Sequence, residues 1–470
     1  MRKSLVVWLS LLLTMSLVLA ACSGGSGGSG SGSAGQEGEA GAETTSPKNE
    51  SATNSKESEA KPAEKVELDF WTFWGSETRR PIIEHIVDEF NKSQDRIVVK
   101  HTFLPWGDIW TKNTAAIAAG DPPDVIVNDI NAVAHRAANG QVTNLSEYLA
   151  KDNVQDQFYP ELWKTVLYEG DAYALPFNTD TRFLFYNKAA FKEAGLDPEK
   201  PPTTWAELEE YAKKLDQKQG NRYTRIGFYP LWGNFGYDAW MINTEPNGLS
   251  YFDYDTGEVT INTPAKVEAL KWINSWTERL GQTNVDAFKA EFGSQQADPF
   301  ISGKVAMIVT TGTFYTQLRD YGQHIDFGVA PVPEKTAGNG HWSSGGGFVV
   351  EIPKGASHPD EAWEFLKWLG GKQAQEYWAV KNFDNVANIE AAETAAGNSE
   401  LSDKGKEVYQ MAVDNMEWTK LSPVPLEAPE YWNLKNPQMD AALLGQKTPE
   451  EALAQAQKEV EELIQRNKKQ

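Results

Sequence analysis

Trp232, Phe235, Tyr237 and Trp240 fall within one short segment, Pro230 to Trp240, that Gly233 and Gly236 interrupt. A stretch so broken does not read as core, and flat, rigid rings with polar edges in such a loop suit stacking against a ligand. The chain carries 17 Trp in 470 residues, and that is its unusual number. Reactive side chains are scarce by comparison. The one cysteine, Cys22, stands at the end of an apolar leader, which leaves none for disulfides or thiol catalysis. The histidines His85, His101, His135, His324, His341 and His358 show neither H-x-x-x-H spacing nor a cysteine partner, so no zinc site is visible. Asp253 to Glu258 glances at a calcium loop, but its glycine is fifth where an EF-hand wants it sixth. An Asp-Thr-Gly turn joining Tyr251-Phe252 to Val259-Thr260-Ile261 is the simpler reading. Gly24-Gly25-Ser26-Gly27-Gly28 formally fits the serine-hydrolase pattern, yet no strand precedes it and no helix follows. The residues point to binding rather than bond-breaking.

The elements that position them begin with an N-terminal leader. Arg2 and Lys3, an apolar run to Leu19 and then Leu19-Ala20-Ala21-Cys22 read as a secretory signal, too short for a membrane span. The segment resembles a bacterial lipoprotein signal, in which Cys22 becomes the new N-terminus and carries lipid. Residues 1–21 are then the signal peptide. Residues 22–65, Gly/Ser-rich to Gly35 and polar and acidic beyond, form a flexible tether too poor in large apolar side chains to fold. About 400 residues remain, enough for two lobes. A net charge of −22 argues against nucleic acid or a basic surface that grips anionic lipid.

Val66 to Trp71 alternates as a strand ending at Thr72-Phe73-Trp74-Gly75. A helix follows, with Pro81 early and Ile82, Ile83, Ile86, Val87 and Phe90 on one face. Then come a strand at Ile97 to Phe103, a helix from Ile109 to Ala119 stopped by Gly120, and a buried strand at Val125-Ile126-Val127. Such alternation predicts an α/β fold with a largely parallel sheet, and ligands there sit at the carboxyl ends of strands. Thr72 to Gly75 and Asn128-Asp129 are therefore candidate lining. Thr204 with Glu207, and Thr448 with Glu451, predict capping boxes opening two amphipathic helices. Trp272, Trp276, Trp363 and Trp368 stand at helical spacing and are expected to pack.

From Asp171 to Lys188, through Phe191-Lys-Glu-Ala-Gly-Leu-Asp-Pro198 and Pro201-Pro-Thr-Thr-Trp-Ala-Glu-Leu208, the chain resembles the family 1 extracellular solute-binding proteins. These are the sugar-binding components of bacterial ABC importers. Gly120 to Asp124, Ser302 to Met307, Gly328 to Pro333, Trp342 to Phe348 and His358 to Leu366 extend the likeness from Val66 to the C-terminus. It implies a two-lobe periplasmic-binding-protein-like fold, with lobes joined by crossing hinge strands and a ligand cleft between them. The crossings would fall near Pro176 to Thr181, near Thr310 to Thr313 and just after Phe348. Lobe 1 would hold residues 66–177 plus 311–348, and lobe 2 residues 178–310 plus 349–470. Thr310 to Thr313 and Gly345-Gly346-Gly347 have small residues suited to a hinge.

A sugar presents C–H faces that stack on aromatic rings and hydroxyls that need donors and acceptors once buried. Near the implied cleft, Trp74, Trp106, Trp232, Phe235, Tyr237, Trp240 and Trp342 are candidate platforms. Asn128, Asp129, Asn178, Asp180 and Asn234 are candidate polar contacts, with Gly346 beside them. The resemblance puts a residue such as Asp180 at the crossing strand. It implies a carbohydrate ligand and ABC permease subunits as partners, and the aromatic excess favours an oligosaccharide; no cofactor and a monomer are expected, and the lipoprotein-like signal at Cys22 gives a lipid-anchored place at the outer face of the cytoplasmic membrane. A non-sugar solute on the same fold and a secreted glycoside hydrolase are the alternatives; the latter needs two carboxylates set across the bond.

Overall fold

A computed structural model describes residues 65–469; the signal sequence, Cys22 and all but the last residue of the tether lie outside the described residues. Strand Val66–Thr72 sits between Ile97–Phe103 and Val125–Asp129 and is parallel to both. Helix Arg79–Ser93 joins the first two strands and buries Ile82, Ile83, Ile86, Val87 and Phe90, the face its spacing predicted. Helix Asp108–Ala119 joins the second and third. It stops at Gly120, whose φ of 78° lies in the left-handed region and lets its N–H reach the Ile117 carbonyl.

Distant segments complete this sheet. Strand Gly347–Glu351 pairs antiparallel with Val125–Asp129 and with Leu175–Thr179, and Asn385–Val386 closes the edge, giving six strands. The sheet is mixed rather than largely parallel. Only the first three strands are joined by local strand-helix-strand units; strand 175–179 runs in their direction but is set apart from them by strand 347–351, which returns from the second lobe and enters antiparallel between 175–179 and 125–129. The second sheet is antiparallel, with Arg182–Asn187 between Met307–Thr311 and Phe327–Ala330. Its two faces feed different cores. Leu184, Tyr186, Met307 and Val309 pack in the second lobe, while Phe183, Phe185, Ile308 and Phe327 join the core that continues into the first.

The pairing corrects the expected lobe boundaries. Strand 327–330 bonds to 182–187, so residues 311–348 do not belong wholly to lobe 1. Strand 347–351 and helices Pro359–Gly370 and Lys372–Asn382 belong to lobe 1, with Phe365 on Phe70 at 5.1 Å and Trp378 on Trp74 at 4.4 Å between ring centroids. Residues 349–470 are therefore split, and it is Ala428 with the C-terminal helices Trp432–Leu443 and Pro449–Asn467 that packs in the second core. Thr310 to Thr313 is no crossing, because the strands on either side of it both pair with 182–187; it ends a strand and opens helix Phe314–Tyr321.

The chain crosses at Asp180-Thr181, around Gly345-Gly346, and through a third segment where Thr419–Lys420 pairs with Ser343–Ser344. The capping box at Thr448 and Glu451 is complete. At Thr204 half of it forms: the hydroxyl accepts from the Glu207 N–H, but the Glu207 carboxylate turns to the N–H of Thr203.

Candidate functional site

A cavity of about 560 Å³ opens between the lobes at the carboxyl end of strand 125–129. The first lobe supplies Asn128, Asp129 and Asn131 from that strand end, Arg136 from the following helix, and Trp110 and Asn113 from helix 108–119. The second lobe supplies Asp238 and Ile242 from helix Gly236–Thr244, together with Tyr251, Tyr431 and Trp432. Ser422 and Val424 lie on a proline-rich strap that spans the opening. On one side the Val424 N–H donates to the Asn131 carbonyl at 2.8 Å; on the other the Tyr254 hydroxyl donates to the Pro423 carbonyl at 2.6 Å.

Arg136 in the cavity wall and Lys435 behind it are each paired with a carboxylate. Arg136 lays its Nε at 3.0 Å from each Glu351 carboxylate oxygen and its Nη2 at 2.9 Å from the Asp129 carbonyl. Glu351 also accepts from the Asn128 amide at 2.7 Å. Lys435, itself buried, donates to Asp238 at 2.6 Å beneath the rings of Tyr237 and Tyr251. The Asp129 carboxylate accepts from the Asn131 N–H at 2.7 Å. Burial pushes its pKa above the usual carboxylate range, with the nearby Asp180 adding to the rise and Asn131 and Arg136 opposing it. Trp110 Nε1, Asn113 Oδ1 and Asn131 Oδ1 are buried polar atoms with no hydrogen-bond partner. The wall is thus aromatic on both sides and rich in amides, and its one half-buried carboxylate, Asp129, lacks a cation of its own.

Of the residues expected from sequence, Asp129 lines this cavity together with Asn128. Asp180 and Gly346 instead tie two crossing strands. Gly346 N–H donates to Asp180 Oδ1 at 2.8 Å, Asp180 N–H donates to the Gly346 carbonyl at 3.1 Å, and Arg182 Nη1 meets the same carboxylate at 2.5 Å. Trp74 is buried against Phe177 and Trp378, and Trp232, Phe235 and Trp240 are second-lobe core. The glycine-broken loop misleads for a definite reason. Gly233 bridges to Val309, and a Cβ there would stand 2.4 Å from the Val309 carbonyl oxygen, so the glycine serves close packing rather than an open loop. Tyr237 donates to Asn436 behind the cavity wall. Trp342 is held by the Asn339 and Pro246 carbonyls next to Lys420. Asn234 spends its carbonyl on Arg182 Nε. Trp106 stands outside the cavity, exposed. Sequence reasoning missed Trp110, Asn113, Asp238, Tyr251, Tyr431 and Trp432. The one available signal was Tyr431-Trp432 directly after the prolines 423, 425 and 429.

Asn178 is buried and donates to Asp384 at 2.9 Å, beside Trp378 and Asn382, which donate to the same oxygen. Burial pushes the Asp384 carboxyl up to about 6, against the pull of Arg79. A carboxyl raised in the folded state holds its proton more tightly than in the unfolded chain, so this group lowers stability as pH rises from the ordinary carboxylate value through about 6. Asp384→Asn is expected to flatten the dependence of the urea midpoint on pH across that window. An unchanged slope would mean that other groups set it.

Residues 74–376 match the family described as bacterial extracellular solute-binding protein. The chain is 29% identical to the maltotriose-binding protein of Pyrococcus abyssi over 261 residues, 54% of this chain and 52% of that one, so it spans about half of that relative's length. It is 27% identical to the sn-glycerol-3-phosphate-binding periplasmic protein UgpB of Rhizobium meliloti over 336 residues, 68% of this chain and 70% of the relative. Among solved structures, that of CpMnBP1 with mannotriose bound superposes with a TM-score of 0.73 at 30% identity, covering 84% of this chain and all of that one.

Proposed function

Because the chain belongs to the bacterial extracellular solute-binding proteins, a family of binding proteins and not of enzymes, we propose that it captures an oligosaccharide between its lobes and delivers it to the permease subunits of an ABC importer. The observation that carries this reading is the make-up of the interlobe cavity. Trp110 faces it from one lobe and Tyr251, Tyr431 and Trp432 from the other, with Asn128, Asp129 and Asn131 between. Rings serve the C–H faces of a sugar, and amides and a carboxylate serve its hydroxyls. The relatives named for maltotriose and bound to mannotriose support the same ligand class. Several relatives are named for a phosphate ester, sn-glycerol 3-phosphate, and such a ligand would need a cation. The Arg136 and Lys435 charges are instead matched by Glu351 and Asp238, which favours a neutral ligand.

Ligand contacts on both walls would stabilise the closed arrangement over an open one, and that difference is what a permease would read. Among the described residues no helix is long and apolar enough to cross a membrane. Lipid on Cys22, palmitate included, would hold the receptor as a monomer at the outer face of the cytoplasmic membrane after removal of the signal peptide. Asp129 would contact ligand directly; Asp180 and Gly346 would act through the hinge, and Trp342 and Tyr237 from behind the wall.

Intrinsic tryptophan fluorescence tests the reading, titrated with malto- and manno-oligosaccharides beside monosaccharides, glycerol 3-phosphate, amino acids and short peptides. A saturable change with an oligosaccharide recovered uncleaved is expected. A response only to glycerol 3-phosphate or to peptides would overturn the ligand class, and shortened sugar would mean an enzyme.

A further inference from the structure

Beside the cavity lies an aromatic shelf that the lobes leave open. Phe73, at the end of the first strand, packs edge-on against Trp106 and Phe348, both at 4.7 Å between ring centroids. Trp106 in turn meets Trp110 at 4.6 Å. Trp106 is 59% exposed, the most exposed aromatic side chain among the described residues. A tryptophan held by three aromatic neighbours, yet showing most of its surface to water, is a fixed platform rather than a loose surface residue.

The shelf is continuous with the cavity. Trp110 belongs to both, and Phe348 pairs across the sheet with Asp129, which lines the cavity. One turn along the same helix, Asn113 is 5% exposed, lines the cavity and leaves its Oδ1 without a partner, as Trp110 does its Nε1. Buried polar atoms without a partner are costly, and these two stand on the wall between shelf and cavity, where the hydroxyls of a bound sugar would satisfy them.

We propose that Phe73, Trp106, Trp110 and Phe348 form a saccharide subsite outside the cavity, which stacks the next residue of a chain whose end is enclosed between the lobes. This rests on the receptor reading above and deepens it: the ligand is a linear oligosaccharide longer than the cavity encloses, and helix 108–119 reads its length. A stacked ring favours the C–H face of a pyranose, without demanding one linkage.

The test crosses chain length with substitution. Affinities of the full chain and of its Trp106→Ala and Trp106→Phe variants are measured by calorimetry for manno- and malto-oligosaccharides of two to six units. For the native chain, affinity should climb with length until the shelf is filled. The ratio of long-chain to short-chain affinity should fall about tenfold in Trp106→Ala, and much of it should return in Trp106→Phe. A loss equal at every length, or none, would overturn the subsite while leaving the receptor intact. Failure of the native chain to bind any saccharide would overturn the receptor reading itself and the subsite with it. Because Trp106 is exposed, both substitutions should spare the fold, and near-identical urea midpoints for all three proteins check this.

Discussion

Glu351→Gln is expected to cost about 3–5 kcal/mol of stability and to weaken ligand binding at the same time. Glu351 is 1% exposed and is the fixed point of one wall of the cavity: it takes Arg136 through both carboxylate oxygens and the Asn128 amide through one. Arg136 in turn holds the Asp129 carbonyl. The planar guanidinium matches a carboxylate in two places at once, which sets direction as well as charge. Glutamine keeps the shape but leaves the arginine charge buried and unmatched, and that desolvated charge is the source of the cost. Urea unfolding should show a lower midpoint with an unchanged slope. Arg136→Met combined with Glu351→Met should destabilise less than Glu351→Gln alone, since no orphan charge remains. It should still bind poorly, because Asn128 and Asp129 have lost their anchor. A single-variant cost no larger than the ~1 kcal/mol of an exposed pair would show that Glu351 does not anchor this wall.

This anchor is a joint that linear reading does not reach. Glu351 and Arg136 are 215 residues apart, and nothing local to either names its partner. What was legible was local. The strand Ile97–Phe103, the apolar face of helix 79–93 and the cap at Thr448 follow from side-chain period and capping chemistry over a few residues. The motif resemblance supplied the two-lobe plan. The sheet order failed where strands came from far away, so the antiparallel half of the first sheet and the membership of 327–330 were missed. Asn128-Asp129 at the carboxyl end of a strand do line the cavity, a position that follows from topology. The aromatic candidates fared worse: ring type alone does not tell a platform from a core. Trp74 and Trp240 are buried while Trp110 lines the cavity, and no local pattern separates it from them; of the lining tryptophans only Trp432, after its prolines, carried a local signal.

Asp129→Asn is expected to lower oligosaccharide affinity by about 1.5–3 kcal/mol, the worth of a hydrogen bond to a charged acceptor. That corresponds to roughly ten- to a hundredfold in Kd. The fold should be spared. The Asp129 side chain caps the short helix Ile130–Ala132 by accepting from the Asn131 N–H, and asparagine caps as well as aspartate does. Affinity and stability therefore separate here, whereas at Glu351 they fall together. The pH profile adds a sign. Burial lifts the Asp129 pKa, so on acidification the carboxylate is lost sooner than an ordinary one. If the ligand hydroxyl donates to the ionised form, native affinity should fall as pH drops through that raised value, and the asparagine variant should stay flat across the same range. Were the protonated carboxyl the donor instead, native affinity would rise as pH falls. Calorimetric titrations of both proteins across the acidic range decide between a wall that accepts from the sugar and one that donates to it, and so fix which hydroxyl orientation the cavity selects.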